Sequence, residues 1–208
     1  LAFSLLSSET VSVLDLHGYQ FPNGLDTLPQ ENAVLIADED FFGHGGLNKL
    51  TVTFDDAGVP VAGDYAHHWL GKAQGVNSVN GVRVVNDTLY VTDLGTVKSI
   101  HLDDTKNPEL ALSVYHAPTI LDDLDATCDG LIVADFVQGR LIFIPYDGST
   151  PTVSQAGLST PSSVLAEANP FVEKGNFLVT ESVGYGAKSG DDIVSVSLSS
   201  VGSKGCNP

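Results

Sequence analysis

Asn23, Asn80 and the pair Asp122-Asp123 each stand at the start of the same repeated phrase, a short β-rich run that turns, returns and ends on an acid. Amide and carboxylate oxygens gathered in this way are ligands for a hard cation. Calcium is favoured because it takes about six to eight oxygens in loose geometry. Zinc prefers nitrogen or sulfur, and neither cysteine nor clustered histidine stands at ligand spacing among these residues. The plainer alternative is that Asn and Asp in front of strands cap turns or tolerate awkward backbone angles.

The elements that must position these oxygens are clearest in residues 78–93, SVNGVRVVNDTLYVTD, where two short runs joined by Asn86-Asp87 read as a hairpin. Upstream, Pro22-Asn23-Gly24-Leu25 leads to AVLIAD, ending on Asp38; downstream, Asp122-Asp123-Leu124 leads to GLIVAD, ending on Asp135. A looser copy runs from Pro161-Ser162-Ser163-Val164 to NFLVTE, ending on Glu181. These acids are 55, 42 and 46 residues apart with only β-type runs between them, the period of a four-stranded propeller blade. No segment sustains a helical period. The expectation is an all-β propeller of four-stranded antiparallel blades: the outer half of a blade in 1–16, full blades in 22–65, 79–117 and 121–157, and a last blade, 161–199, lacking its closing strand. Counted against a six-bladed ring, about two blades' worth of N-terminal strands, roughly 100 residues, stand outside this chain. A cleaved but associated N-terminal fragment would then be a partner that completes the ring. The competing architecture is a complete four-bladed propeller.

In an up-and-down blade the start of the first strand and the end of the second lie on one face. Asn23, Asn80 and Asp122 or Asp123 are therefore expected at one mouth of the central channel, rimmed by Asp38, Asp93, Asp135 and Glu181. Those end-of-strand acids read first as recurrent hydrogen-bond acceptors that hold each blade together. Residues 41–46, 65–70 and 184–188 read as loops around the same mouth, carrying Phe42, His44, His67, Trp69 and Tyr185. Trp69, Phe42 and Tyr185 would shape an apolar substrate pocket. Asp122, Asp123, His44 and His67 are the visible candidates for a catalytic base. A lone histidine in a loop is more often a surface residue.

Twenty-six acidic against nine basic residues excludes a nucleic-acid binder, which needs clustered Lys and Arg. No apolar run approaches the length of a membrane span. The chain contains no Met and starts at Leu1, so a signal peptide is expected to precede it. Two cysteines, Cys128 and Cys206, are compatible with one disulfide, and Asn86-Asp87-Thr88 is a glycosylation sequon; together they favour a secreted, extracellular glycoprotein. Cys206 could equally pair with a cysteine outside this chain.

PNGL with LIAD, VNGV with LYVTD, and LDDLDA with LIVAD resemble successive blades of the calcium-dependent six-bladed propellers that include gluconolactonase, senescence marker protein and paraoxonase, and more distantly strictosidine synthase. The resemblance implies a channel calcium held by Asn23, Asn80 and the acidic pair Asp122 with Asp123. Further ligands, including a Glu, and a paraoxonase-type histidine pair would then lie outside this chain. It also implies a hydrolase in which the ion polarises a lactone or ester carbonyl of a small-molecule substrate while a base activates water. Two other functions compete with it: a metal-independent biosynthetic propeller that shapes a reactive small molecule for cycloaddition, and a non-catalytic binding propeller.

Overall fold

Strands dominate the chain because its apolar residues alternate or run in short blocks rather than at helical spacing. The computed structural model describes residues 2–3, 10–12, 18–28, 31–56, 58, 60–61, 63–103, 107–154, 157–166, 175–182, 192–197 and 199. They form a β-propeller of antiparallel blades, with a 3-10 turn at Lys72–Gln74.

A two-stranded sheet, β1 (Ala2–Phe3) with β2 (Thr10–Ser12), comes first. The first full blade is β3 (Pro22–Leu28), β4 (Ala33–Asp38), β5 (Gly46–Thr51) and β8 (Tyr65–Leu70). Between its last two strands a small ribbon pairs β6 (Thr53–Phe54) with β7 (Pro60–Val61). The second blade is β9 (Val79–Val85), β10 (Thr88–Asp93), β11 (Thr96–His101) and β12 (Leu112–His116). The third is β13 (Leu124–Ala126), β14 (Gly130–Asp135), β15 (Arg140–Pro145) and β16 (Thr152–Ser154). The fourth contributes β17 (Pro161–Leu165), β18 (Asn176–Glu181) and β19 (Ile193–Ser197).

Two expectations are corrected here. The first blade was expected to end at residue 65, and residues 65–70 to form a loop; instead Tyr65–Leu70 is the outermost strand of that blade. Its identity is obscured by a bulge: Leu47 pairs with Leu70 and Lys49 with Ala66, so three residues, His67 to Trp69, face Asn48 alone.

Side-chain alternation along the second strands builds the cores between blades. In β14, Leu131 and Val133 pack with Val97, Leu124 and Ile142 toward the second blade, while Ile132 and Ala134 pack with Val164, Phe177 and Val179 toward the fourth. Leu35 and Ala37 of β4 likewise join Val82, Leu89 and Val91 of the next blade. Each fully buried Leu or Phe in these interfaces stabilises by about 1.5–3 kcal/mol. The apolar contacts stack successive blades face to face and bring β3, β9, β13 and β17 together as the innermost strands.

Candidate functional site at the channel mouth

A one-residue bulge recurs near the start of each innermost strand. Pro22 pairs with Asp38 but Leu25 with Ile36; Val79 pairs with Asp93 but Val82 with Val91; Pro161 pairs with Glu181 but Ser163 with Thr180. In the third blade the nitrogen of Asp122 bonds the Ala134 carbonyl and the nitrogen of Ala134 bonds the Asp123 carbonyl, so two residues again meet one. A bulge re-aims the side chains at its centre. The residues so placed are Asn23-Gly24, Asn80-Gly81, Asp122-Asp123 and Ser162-Ser163.

Successive bulges pack almost backbone to backbone. A methyl group on Gly24 would lie 2.4 Å from the Asn80 carbonyl oxygen, and one on Gly81 would lie 2.9 Å from the Asp123 Cα. Glycine is the residue this approach admits. A channel cavity of about 230 Å³ runs between these strands, lined by Asn23, Gly24, Leu25, Arg83, Asp123, Ser162 and Ser163.

At the mouth, Glu39 reaches across from the loop after β4. Its Oε2 accepts a hydrogen bond from Asn80 Nδ2 at 3.1 Å, and the Asn23 amide also stabilises its charge. Glu39 and Asn80 are both buried, at 4% and 5% exposure. Burial raises the Glu39 carboxyl above its ordinary range, with the Asn80 and Asn23 amides opposing. Asp122 is pushed up to about 7 by burial, then by the charges of Asp123 and Glu39, while the Asn80 amide pulls the other way. Asn23, Glu39, Asn80 and Asp122 therefore form one set of oxygens. Asn80 Oδ1 is buried among them with no hydrogen-bond partner.

Asp123 stands at the position Gly24 and Gly81 hold in the blades before it, and its carboxylate turns to the next blade. It accepts from Ser163 Oγ at 2.6 Å and from the Val164 nitrogen at 3.4 Å. Burial raises its carboxyl, against the Ser163 hydroxyl and the Arg83 charge. Arg83 spans three blades, holding Asp125 through Nε at 2.6 Å and the Leu25 carbonyl at 3.1 Å.

The sequence reading missed Glu39. Glu39 directly follows the acid that closes β4. Alternation sends Asp38 and Glu39 in opposite directions: Asp38 Oδ1 accepts from the nitrogens of Gln20 and Phe21 within its own blade, while Glu39 faces the axis. Asp93 and Asp135 are the blade-holding acceptors they were read as, the former bonding the nitrogens of Asn77 and Ser78, the latter Thr119 Oγ1.

Phe42 and His44 flank the mouth on a turn organised by Asp40, which accepts from the Phe42 nitrogen at 2.7 Å and pairs with His44 Nδ1 at 3.2 Å. Phe42 is 89% exposed. The bulged outer strand keeps His67 and Trp69 away from the channel cavity: Trp69 packs on the core between the first two blades, under Lys49 Nζ at 4.8 Å from its ring. Tyr185 and Cys206 lie outside the described residues. Cys128 is disulfide-bonded, and Asn86 is exposed in the β9–β10 turn at φ 55°.

No family model and no curated protein matches the chain. Among solved structures it is similar to a nidogen/laminin complex, with 14% identity and a TM-score of 0.50 over 86% of this chain and 76% of that one. A likeness at that identity is one of fold.

Proposed function

We propose that this propeller is a secreted calcium-dependent hydrolase of the lactonase and esterase class, acting at the mouth described above. The observation that carries this reading is the orphaned Asn80 Oδ1, a buried acceptor amid three more oxygen-bearing side chains, Asn23, Glu39 and Asp122. A buried unpaired polar atom costs about 1–3 kcal/mol. A set with two carboxylates, two amides and no nitrogen or sulfur donor fits calcium.

A bound calcium would supply Lewis acidity toward a carbonyl oxygen. The chain's own residues do the rest. The Glu39–Asn80 hydrogen bond fixes both side chains so that Asn80 presents its oxygen inward. Asp122 is the carboxylate placed beside this set to take a proton from water. The other candidate bases are less well placed. Asp123 is held by Ser163, His44 is exposed against Asp40, and His67 sits on the outermost strand. The exposed Phe41 and Phe42 offer an apolar edge beside the mouth for a small ester or lactone. An exposed sequon at Asn86 and a disulfide-bonded Cys128 support passage through an oxidising secretory compartment.

A non-catalytic binding propeller with a structural ion is the second reading, favoured by the scarcity of bases at the site: Asp122 is the one well-placed candidate among the described residues. The cycloaddition reading loses support because Trp69 is packed into a core rather than lining the channel. A panel of aryl esters and lactones tests these readings. Turnover should vanish with a calcium chelator and return with calcium. Calcium-loaded protein that turns over none of them is a binding propeller; turnover indifferent to chelation overturns the metal-dependent mechanism.

A further inference from the structure

The acids that end the second strands provide an internal comparison. Asp93 is paired with Lys98 at 2.5 Å and Asp135 with Arg140 at 2.7 Å, each cation coming from the third strand of the same blade. Asp38 has no Lys or Arg partner among the described residues. Asp93 pairs with Thr96, two residues before Lys98, and Asp38 pairs with Gly46, two residues before Asn48. The first blade thus has a neutral Asn48 where the second has its lysine. Asp38 is 0% exposed, and its Oδ2 is buried with no hydrogen-bond partner.

Two histidines approach this unneutralised carboxylate. A regular strand would leave neighbouring side chains on opposite faces, but within the β8 bulge His68 adopts φ 49°, a left-handed conformation unusual for a residue other than glycine. Its nitrogen is tied to Asn48 Oδ1 at 2.7 Å, and the two imidazoles stack with centroids 3.8 Å apart. One ring nitrogen of each histidine and a carboxylate oxygen of Asp38 lie within 4.8 Å of one another. His67 Nε2 is 3.1 Å from the Gly18 carbonyl, so the neutral ring donates there and keeps its lone pair on Nδ1. A backbone carbonyl holding the second nitrogen is the usual support of a metal-bound imidazole. The Tyr19 and Tyr65 hydroxyls are buried around the same acid.

We infer that Asp38, His67 and His68 form a second metal site, for zinc, chemically distinct from the all-oxygen set at the channel. Two imidazoles and one carboxylate leave a fourth position open to water or a ligand, the donor set of an open zinc centre. Tetrahedral zinc needs its donors roughly 3.3 Å apart. His68, exposed and tied through its backbone nitrogen, closes that difference by rotating its ring toward the fixed carboxylate, and the ion supplies the charge that Lys98 and Arg140 supply in the later blades.

The test is zinc retention by the full chain after stripping, reloading in saturating calcium and dialysis, read by elemental analysis. One zinc per chain is expected to remain. The His67→Gln/His68→Gln double variant should bind zinc weaker by more than the roughly 10–100-fold lost with an outer-shell partner alone, and bind calcium unchanged. Both histidines are exposed, so the variant should fold, which circular dichroism checks. Cobalt(II) provides a second readout: the wild-type chain should give the intense visible bands of a four-coordinate ion, absent from the double variant. Equal zinc retention by the two proteins, retention by neither, or a cobalt spectrum matching the aqueous ion overturns the site.

Discussion

Glu39 Oε2 accepts a hydrogen bond from Asn80 Nδ2 across the boundary between the first two blades, at 3.1 Å, and Asn80 is left with its own oxygen buried and unmatched. The contact links a loop after one blade's second strand to the bulge on the next blade's first. It turns an amide that could have capped a turn into an inward-facing acceptor.

Glu39→Gln separates charge from shape. The glutamine keeps an oxygen for the Asn80 amide but loses a buried negative charge whose carboxyl is raised mainly by burial. Calcium affinity should fall more than about tenfold, the order of 1.4 kcal/mol. The metal-free protein at pH 7.5 should melt no lower than wild type, because a buried negative charge is removed. Calorimetry and thermal melting measure the two effects.

Asp122 sets a pH dependence for the metal-free protein. Its carboxyl titrates at about 7 in the fold and near 3.9 when unfolded. Between those values the folded state holds the extra proton, so this group's contribution to stability is fully present below about pH 4 and is lost as pH rises through about 7. Metal-free wild type should therefore lose stability between pH 5 and pH 7.5 relative to Asp122→Asn, and calcium should remove that loss. Urea unfolding at the two pH values, with and without calcium, checks the sign.

Gly24 and Gly81 test the spacing of the blades. Gly24→Ala drives a methyl group to 2.4 Å from a backbone oxygen and Gly81→Ala to 2.9 Å from a Cα, so each should cost about 2–3 kcal/mol. Gly58 also has positive φ but nothing within 4 Å of an added Cβ. Gly58→Ala should cost about 1 kcal/mol, from backbone strain alone. Denaturant midpoints compare the three.

The blades were legible in sequence because a second strand buried on both faces leaves a plain trace: GLIVAD is buried at every position, and such blocks recur at blade spacing. The convergence of Asn23, Asn80 and Asp122 followed from the repeat. The division between Asp122 and Asp123 did not, because it depends on a bulge that exists only when two strands pair. His67-His68-Trp69 were read as a loop for the same reason: three residues facing one erase the period of two that marks a strand. Glu39 was hidden by its neighbour. Asp38 matches the repeated acid, and alternation turns the residue after it to the opposite side.

The central claim is that the channel mouth holds calcium through Asn80 and its neighbours. Calorimetric titration of metal-stripped full chain with calcium tests it most directly, beside Asn80→Ala and Asp123→Asn. One ion per wild-type chain is expected, with binding weakened more than about tenfold in Asn80→Ala and retained in Asp123→Asn, whose carboxylate is engaged with Ser163. No calcium uptake by the wild-type chain, or uptake unchanged in Asn80→Ala, would contradict it.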